Sequence, residues 1–300
     1  MSVMTKYGVI FYCIVNKKLG DGVIYNKIIC IFYYNIQIYM NKNKITAYKS
    51  FTFDYNCLET LINETVKKLR GVDRERENTI KDWYIFFKTN INFELYNKYM
   101  HKYTSNIATI RLGNGVDIIK YFDFNRWICN KVNIFKFLNK YVNFHGKNVY
   151  DIGSGFGHFP LICKSYGANI VVGSNIPYGN KKYQEGELFH NICESFNLKT
   201  DVLYVKPKTP IILDMKYDFI TFLMPRWFHR FTIEECIFFI NDMKKNNLTK
   251  GGKIIFECGN GGKNKYEYLE KISLASCWCD GDEKPYKPNT PKTKSRFYII

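Results

Sequence analysis

The chain has no run of about 18 consecutive apolar residues, the length that a membrane-crossing helix needs. The apolar stretch near the start, residues 7–15, follows a lone Lys6 and meets no small-residue cleavage site, so it reads as a strand and not as a signal peptide. No C-x-x-C pair occurs among the ten cysteines, and the one close pair, Cys277 and Cys279, has no histidine beside it; no metal site is expected. Unpaired cysteines of this kind point to a reducing compartment, with the cytoplasm as the expected location. No internal repeat or low-complexity linker separates the halves of the chain. Acidic residues are scarce, 27 against 44 basic ones, for a net charge of +17 and a pI near 9.3. That balance suits an acidic partner such as nucleic acid. Lysines spread over a solvated surface by an AT-rich coding bias give the same totals, and the bias also accounts for the abundant Ile, Asn, Tyr and Phe.

What is present suffices for a folded core, with 46% hydrophobic residues in 300 positions. Residues 1–53 are rich in β-branched and aromatic residues and are broken by turn chemistry at 16–22 and 41–44; two or three hairpin strands are expected there. From 54 to 144 the pattern turns helical. Leu58, Leu61, Ile62, Val66 and Leu69 share one helix face, and further helices are expected over 79–88, 93–103 and 132–142, together forming a lid or cap region. From 145 to 300 strands alternate with helices. Strands are expected at 148–152, 169–172, 202–205, 218–223, 253–257 and 296–300, with helices at 159–166, 181–196 and 233–245. Such alternation predicts an α/β domain, a parallel sheet with helices on both faces, which binds ligands at the carboxyl ends of its strands.

The most informative stretch is Asn148-Val-Tyr-Asp-Ile-Gly-Ser-Gly-Phe-Gly-His-Phe159, a strand that runs through Asp151 into three alternate glycines and then a helix. Glycines let the main chain approach a ligand closely, and the helix start offers unpaired N–H groups. A dinucleotide fingerprint needs a glycine at 158, where this chain has His158. The D-x-G-x-G-x-G pattern instead resembles motif I of the class I S-adenosylmethionine-dependent methyltransferases. Tyr217-Asp218 followed by an apolar run is similar to that family's fourth strand, and residues 248–252, Leu-Thr-Lys-Gly-Gly, resemble its turn into the fifth. The resemblance covers residues 145–300 and implies a Rossmann-like methyltransferase sheet, with S-adenosyl-L-methionine as cofactor. It implies cofactor contacts from Asp151, Gly153, Ser154, Gly155, Asn175 and Phe222, with Gly157 opening the helix. Asn175 stands where the family usually has an acid for the ribose hydroxyls, and no acid follows the third strand at Lys206-Pro207 for the adenine.

The sulfonium is an activated methyl donor, so the protein mainly aligns an acceptor and excludes water. A hydroxyl acceptor also needs a base. In the loop after the fourth strand, Met224-Pro-Arg-Trp-Phe-His229-Arg230, His229 alone has a suitable pKa and is the candidate general base; a packed or surface histidine is the competing reading. Arg226 and Arg230 could hold an anionic substrate. Asn175-Ile-Pro-Tyr178 resembles the box by which RNA adenine methyltransferases present a flipped base, but it follows the second strand and not the fourth. Three functions stay open. They are a methyltransferase for a small molecule or sugar-type metabolite, one for RNA or DNA served by the basic surface and the basic tail at 284–296, and a non-catalytic binding protein that retains the fold. Neither the acceptor nor the oligomeric state is encoded in any motif.

Overall fold

The computed structural model describes residues 3–5, 8–10, 35–41, 44–50, 74–105, 124–175, 185–223, 225–259, 263–279, 283 and 295–300. The expected helix near 54–69, the turn at 16–22, the segment Ile176-Pro-Tyr178 and the tail at 284–294 lie outside them. At the N-terminus β1 (Val3–Thr5) pairs antiparallel with β2 (Gly8–Ile10), and β3 (Asn35–Asn41) with β4 (Lys44–Ser50). Helices α1 (Arg74–Asn90), α2 (Phe93–Ser105) and α3 (Phe124–Leu138) follow. The remaining elements are β5 (Asn148–Ile152), α4 (His158–Ser165), β6 (Ile170–Asn175), α5 (Glu185–Ser195), β7 (Lys199–Val202), β8 (Tyr217–Leu223), α6 (Arg226–Arg230), α7 (Ile233–Asp242), β9 (Leu248–Cys258), α8 (Lys263–Ile272), β10 (Ala275–Trp278) and β11 (Arg296–Ile299). Among the described residues no helix is long and apolar enough to cross a membrane.

The sheet has seven strands in the order β7-β6-β5-β8-β9-β11-β10. All pairings from β7 to β9 are parallel, whereas β11 runs antiparallel to both of its neighbours. The chain steps outward from β5 to β7, then returns to the other side of β5 to lay down β8. That reversal makes a topological switch point between β5 and β8, where the loops above two adjacent strands part and leave room for a ligand.

Alternating side chains sort the core into two layers. Val149, Val171, Phe219 and Ile255 face one side, with α1 to α5. Tyr150, Ile152, Val172, Ile220, Phe222 and Phe256 face the other, with α6 to α8. The first layer also takes in helices from before residue 145. Trp83, Tyr84 and Phe87 of α1 and Phe135 and Leu138 of α3 belong to the same buried cluster as Val149 and Phe159. The Phe135 ring stacks on Tyr166 at 5.2 Å. These helices bury their apolar faces directly on the sheet's helices, so they form part of its covering layer.

Two of the family-like motifs prove to be structural. Asp218 accepts from the Asn148 N–H at 2.9 Å and from the Thr249 hydroxyl at 3.1 Å, joining the starts of β5, β8 and β9. In the Leu-Thr-Lys-Gly-Gly turn, Gly251 has φ +80°, and a Cβ on Gly252 would stand 2.9 Å from the Asp218 carbonyl oxygen. The third parallel strand is 199–202 and not 202–205 as the β-rich run suggests. Its partner β6 ends at Asn175, and the Leu203 N–H donates to the Asn175 carbonyl at 2.9 Å. Helix α7 opens with a capping box, Thr232 with Glu235, and ends in a π-helical turn, Met243–Asn247. Asp242 and Asn247 there hold the backbone of Ile211 and Leu213. Helix α8 and β10 lie beyond the sequence pattern, since the buried positions of α8, Tyr266 and Leu269, make too short an apolar stripe.

Candidate functional site

Strand β5 carries Asp151 to the carboxyl end of the sheet, and the chain then turns through Gly153, Gly155 and Gly157 with φ of +74°, +56° and +76°. These left-handed conformations are the ones glycine adopts without a steric penalty. The three glycines have different surroundings. A Cβ on Gly153 or Gly155 would meet nothing within 4 Å, whereas one on Gly157 would stand 2.7 Å from Leu198 Cδ1 and 2.9 Å from Cys193 Sγ. The first two therefore border open space above the switch point, and the third is wedged against α5 and the residues that follow it.

Hydrogen bonds pin the turn to β6. The Ser154 N–H donates to the Ser174 carbonyl at 2.9 Å, and the Ser154 hydroxyl donates to the Asp151 carbonyl at 2.8 Å. Gly173 leaves the space in which Ser154 sits, since a Cβ there would stand 2.7 Å from the Ser154 hydroxyl. Asn175 completes the attachment. Its Oδ1 accepts from the Gly155 N–H at 2.9 Å, its Nδ2 donates to the Gly155 carbonyl at 3.2 Å, and the residue is 3% exposed. Each end of the amide makes one bond to the turn, so Asn175 clamps Gly155.

Phe222 takes the other face of its strand. It is 0% exposed, packed in the opposite core layer with its ring 4.7 Å from Phe256. The alternation of β8 brings Thr221 to the site instead, in register with Asp151, and its hydroxyl donates to Asp151 Oδ1 at 2.5 Å. Asp151 is pushed up to about 7 by burial, against the opposing effects of the Thr221 and Ser154 hydrogen bonds and of the Lys131 charge. His158, at the position where a dinucleotide fingerprint has glycine, is buried between Phe156 and Phe196, and burial lowers it to about 3.

One feature of this end of the sheet has no signal in the sequence. Lys131 of α3 meets Glu257 of β9 at 3.2 Å, both buried, and the Ser295 hydroxyl also donates to Glu257. The pair spans 126 positions of chain, and each partner's own stretch gives no sign of the other. On the other side of β9 stands His229 of α6. Burial and the Lys265 charge lower its pKa, against the Gly259 backbone and Glu257, which raise it, so the ring is neutral at pH 7. The Lys265 ammonium donates to the carbonyls of Phe228, His229 and Phe231, which fixes the helix that carries His229. Arg230 is exposed at the end of that helix.

No protein-family model matches the sequence, and no curated protein matches it. Solved structures show similarity at low identity and low TM-score. The magnesium protoporphyrin IX methyltransferase of Synechocystis PCC 6803, with bound S-adenosylmethionine, is 16% identical and is matched over 69% of this chain and 94% of its own, with TM-score 0.39. The N-methyltransferase NodS of Bradyrhizobium japonicum WM9 is 11% identical over 59% of this chain and 94% of its own, with TM-score 0.41. A TehB-like S-adenosylmethionine-dependent methyltransferase of Corynebacterium glutamicum is 14% identical over 55% and 86%, with TM-score 0.39. With its switch point between β5 and β8, its antiparallel β11 and its glycine turn after β5, the chain has a Rossmann-like fold.

Proposed function

We propose that this chain is an S-adenosyl-L-methionine-dependent methyltransferase acting on a small molecule or sugar-type metabolite. The observation that carries the reading is the open space over Gly153 and Gly155 at the switch point, next to the buried carboxyl of Asp151. A backbone without side chains lets a ligand approach to contact distance, and the start of α4 adds the positive end of its dipole for a carboxylate. These residues fit the cofactor. Gly153, Gly155 and Asp151 would hold its amino-acid end, and when bound it supplies a methyl group already activated by the sulfonium.

The chain's own work is then to orient the acceptor and keep water out. His229 is neutral at pH 7 and stands near the end of β9, so it can take the proton of a hydroxyl acceptor. A small acceptor is preferred over nucleic acid because the loop after β8 carries no motif for presenting a base. The residues after β8, Pro225-Arg226-Trp227, are not a base-presenting box.

Calorimetry of the full chain with S-adenosylmethionine and S-adenosylhomocysteine tests the cofactor: micromolar binding of either is expected, and a folded chain that binds neither would sink the reading. Oligonucleotide affinity that falls steeply with salt would move the acceptor to nucleic acid. Once turnover is measured, His229→Gln should lower kcat by about 10²- to 10⁴-fold with cofactor affinity unchanged. Unchanged kcat would end the case for His229 as base.

A further inference from the structure

The seven-stranded sheet ends on one side at β7, and among the described residues no strand pairs with its outer edge. Strands β6 and β7 are parallel, and the Leu203 N–H donates to the Asn175 carbonyl. Backbone groups alternate in direction along a parallel ladder, so those of Asp201 and Leu203 face β6 while those of Thr200 face outward. The rim around them is apolar for a surface. Val202, Tyr204 and Ile212 are exposed by 46%, 51% and 84%, and among the described residues only Ile85 and Leu274 are large apolar side chains comparably exposed. Ile212 belongs to this rim because Asp214, two residues on, meets Lys199 at 3.2 Å. An open edge of this kind is blocked by charge or covered by another strand.

The charge on β7 suits a second copy of the same strand. Lys199 and Asp201 are two positions apart, on one face, and both are exposed. When two copies of β7 run antiparallel about a two-fold axis at Thr200, each Lys199 stands opposite Asp201 of the partner subunit, and the outward N–H and C=O groups of the two Thr200 residues exchange a pair of hydrogen bonds. A parallel arrangement would set Lys199 against Lys199 instead. The Asp201 carboxylate is already held in place, accepting from the Tyr150 hydroxyl at 2.9 Å and from the Val202 N–H at 2.7 Å, so little side-chain freedom is lost on pairing. We propose that β7 is a self-pairing edge, through which two copies of this chain form a two-fold dimer with one sheet running across both. The pairing needs no cofactor and is independent of the methyltransferase reading.

Sedimentation velocity of the full chain under reducing conditions tests this, over protein concentrations from about 1 to 100 µM. A reversible monomer–dimer equilibrium in that range is expected, since a four-residue edge makes a small interface. Lys199→Glu sets like charges opposite each other on both sides of the axis, and should weaken the dimer about tenfold or more. Exchanging the charges, Lys199→Glu with Asp201→Lys, should restore it. Thr200→Pro removes the outward N–H at the axis while leaving the groups that face β6 in place, and should abolish dimerisation. Should the charge exchange fail to fold, Thr200→Pro and Lys199→Glu decide. A chain that stays monomeric throughout overturns the proposal, and slow hydrogen exchange of the Thr200 amide in that monomer would show the edge to be covered from within the same chain. A dimer that neither Lys199→Glu nor Thr200→Pro weakens overturns it as well, since its interface lies elsewhere.

Discussion

Replacing Asn175 by Asp would install the acid that the methyltransferase resemblance expects at the end of the second strand, and the structure predicts harm. The amide uses its oxygen on the Gly155 N–H and its nitrogen on the Gly155 carbonyl. A carboxylate keeps the first bond and loses the second, at a net cost of about 1 kcal/mol. It also sets an oxygen against the carbonyl oxygen that the amide nitrogen now meets at 3.2 Å. The residue is 3% exposed, so the new charge is either buried, at a penalty of several kcal/mol, or neutralised by a proton. The stronger charge-assisted bond to the Gly155 N–H offsets about 1–2 kcal/mol of this. The balance is a loss of roughly 3 kcal/mol at neutral pH, part of which returns on acidification as the new carboxyl protonates. Urea unfolding at two pH values measures it, and calorimetry with S-adenosylmethionine should show weaker binding, because the turn over which the ligand lies has lost its clamp. Asn175→Ala, which leaves the half-buried Gly155 groups to water, should cost less, about 1–2 kcal/mol. An Asp variant as stable as the parent and tighter for cofactor would refute the clamp and restore Asn175 as a ribose contact.

The glycines should separate fold from site. Gly157→Ala meets Leu198 and Cys193 at contact distances of 2.7 and 2.9 Å, and should cost about 2–4 kcal/mol in urea unfolding. Gly155→Ala meets nothing and should cost only about 1 kcal/mol of left-handed strain, while lowering cofactor affinity in calorimetry. Lys131→Met strands Glu257 as a buried charge and should destabilise by about 3–5 kcal/mol, and the double variant Lys131→Met with Glu257→Leu should recover most of that in the same assay. The raised Asp151 makes a pH prediction of definite sign: with its folded pKa above the unfolded value, the ligand-free chain gains stability from this group below about pH 4. That gain should be lost as pH rises through about 7, as thermal melts between those limits would show.

Period and turn chemistry carry the parallel half of the fold, because each strand–helix unit leaves a local trace. Strand 148–152 is found as expected, and strand β8 and helix α7 begin within a residue of their expected positions. The second strand runs on to Asn175, three residues past its expected end, as sheet pairing with β7 extends it. Helices α1 and α3 also leave a trace, yet their place does not. Whether an amphipathic helix lies on the sheet or above it depends on which apolar surface meets Trp83 and Phe135, and that surface comes from residues far along the chain.

The site divides in the same way. Asp151 and the three glycines are legible because a strand, an acid and left-handed turns must sit in one short stretch to make a ligand-facing loop. What Asn175 and Phe222 do was not legible, since one alternation of the strand decides which face a side chain takes, and a partner 20 positions away decides whether an amide is free. Thr221 meets Asp151, and Lys131 meets Glu257, only through tertiary structure. The sequence by itself determined a glycine turn at the carboxyl end of a parallel strand. Only the folded chain decided how charge is balanced around it, because burial and pairing are properties of residues brought together from distant parts of the chain.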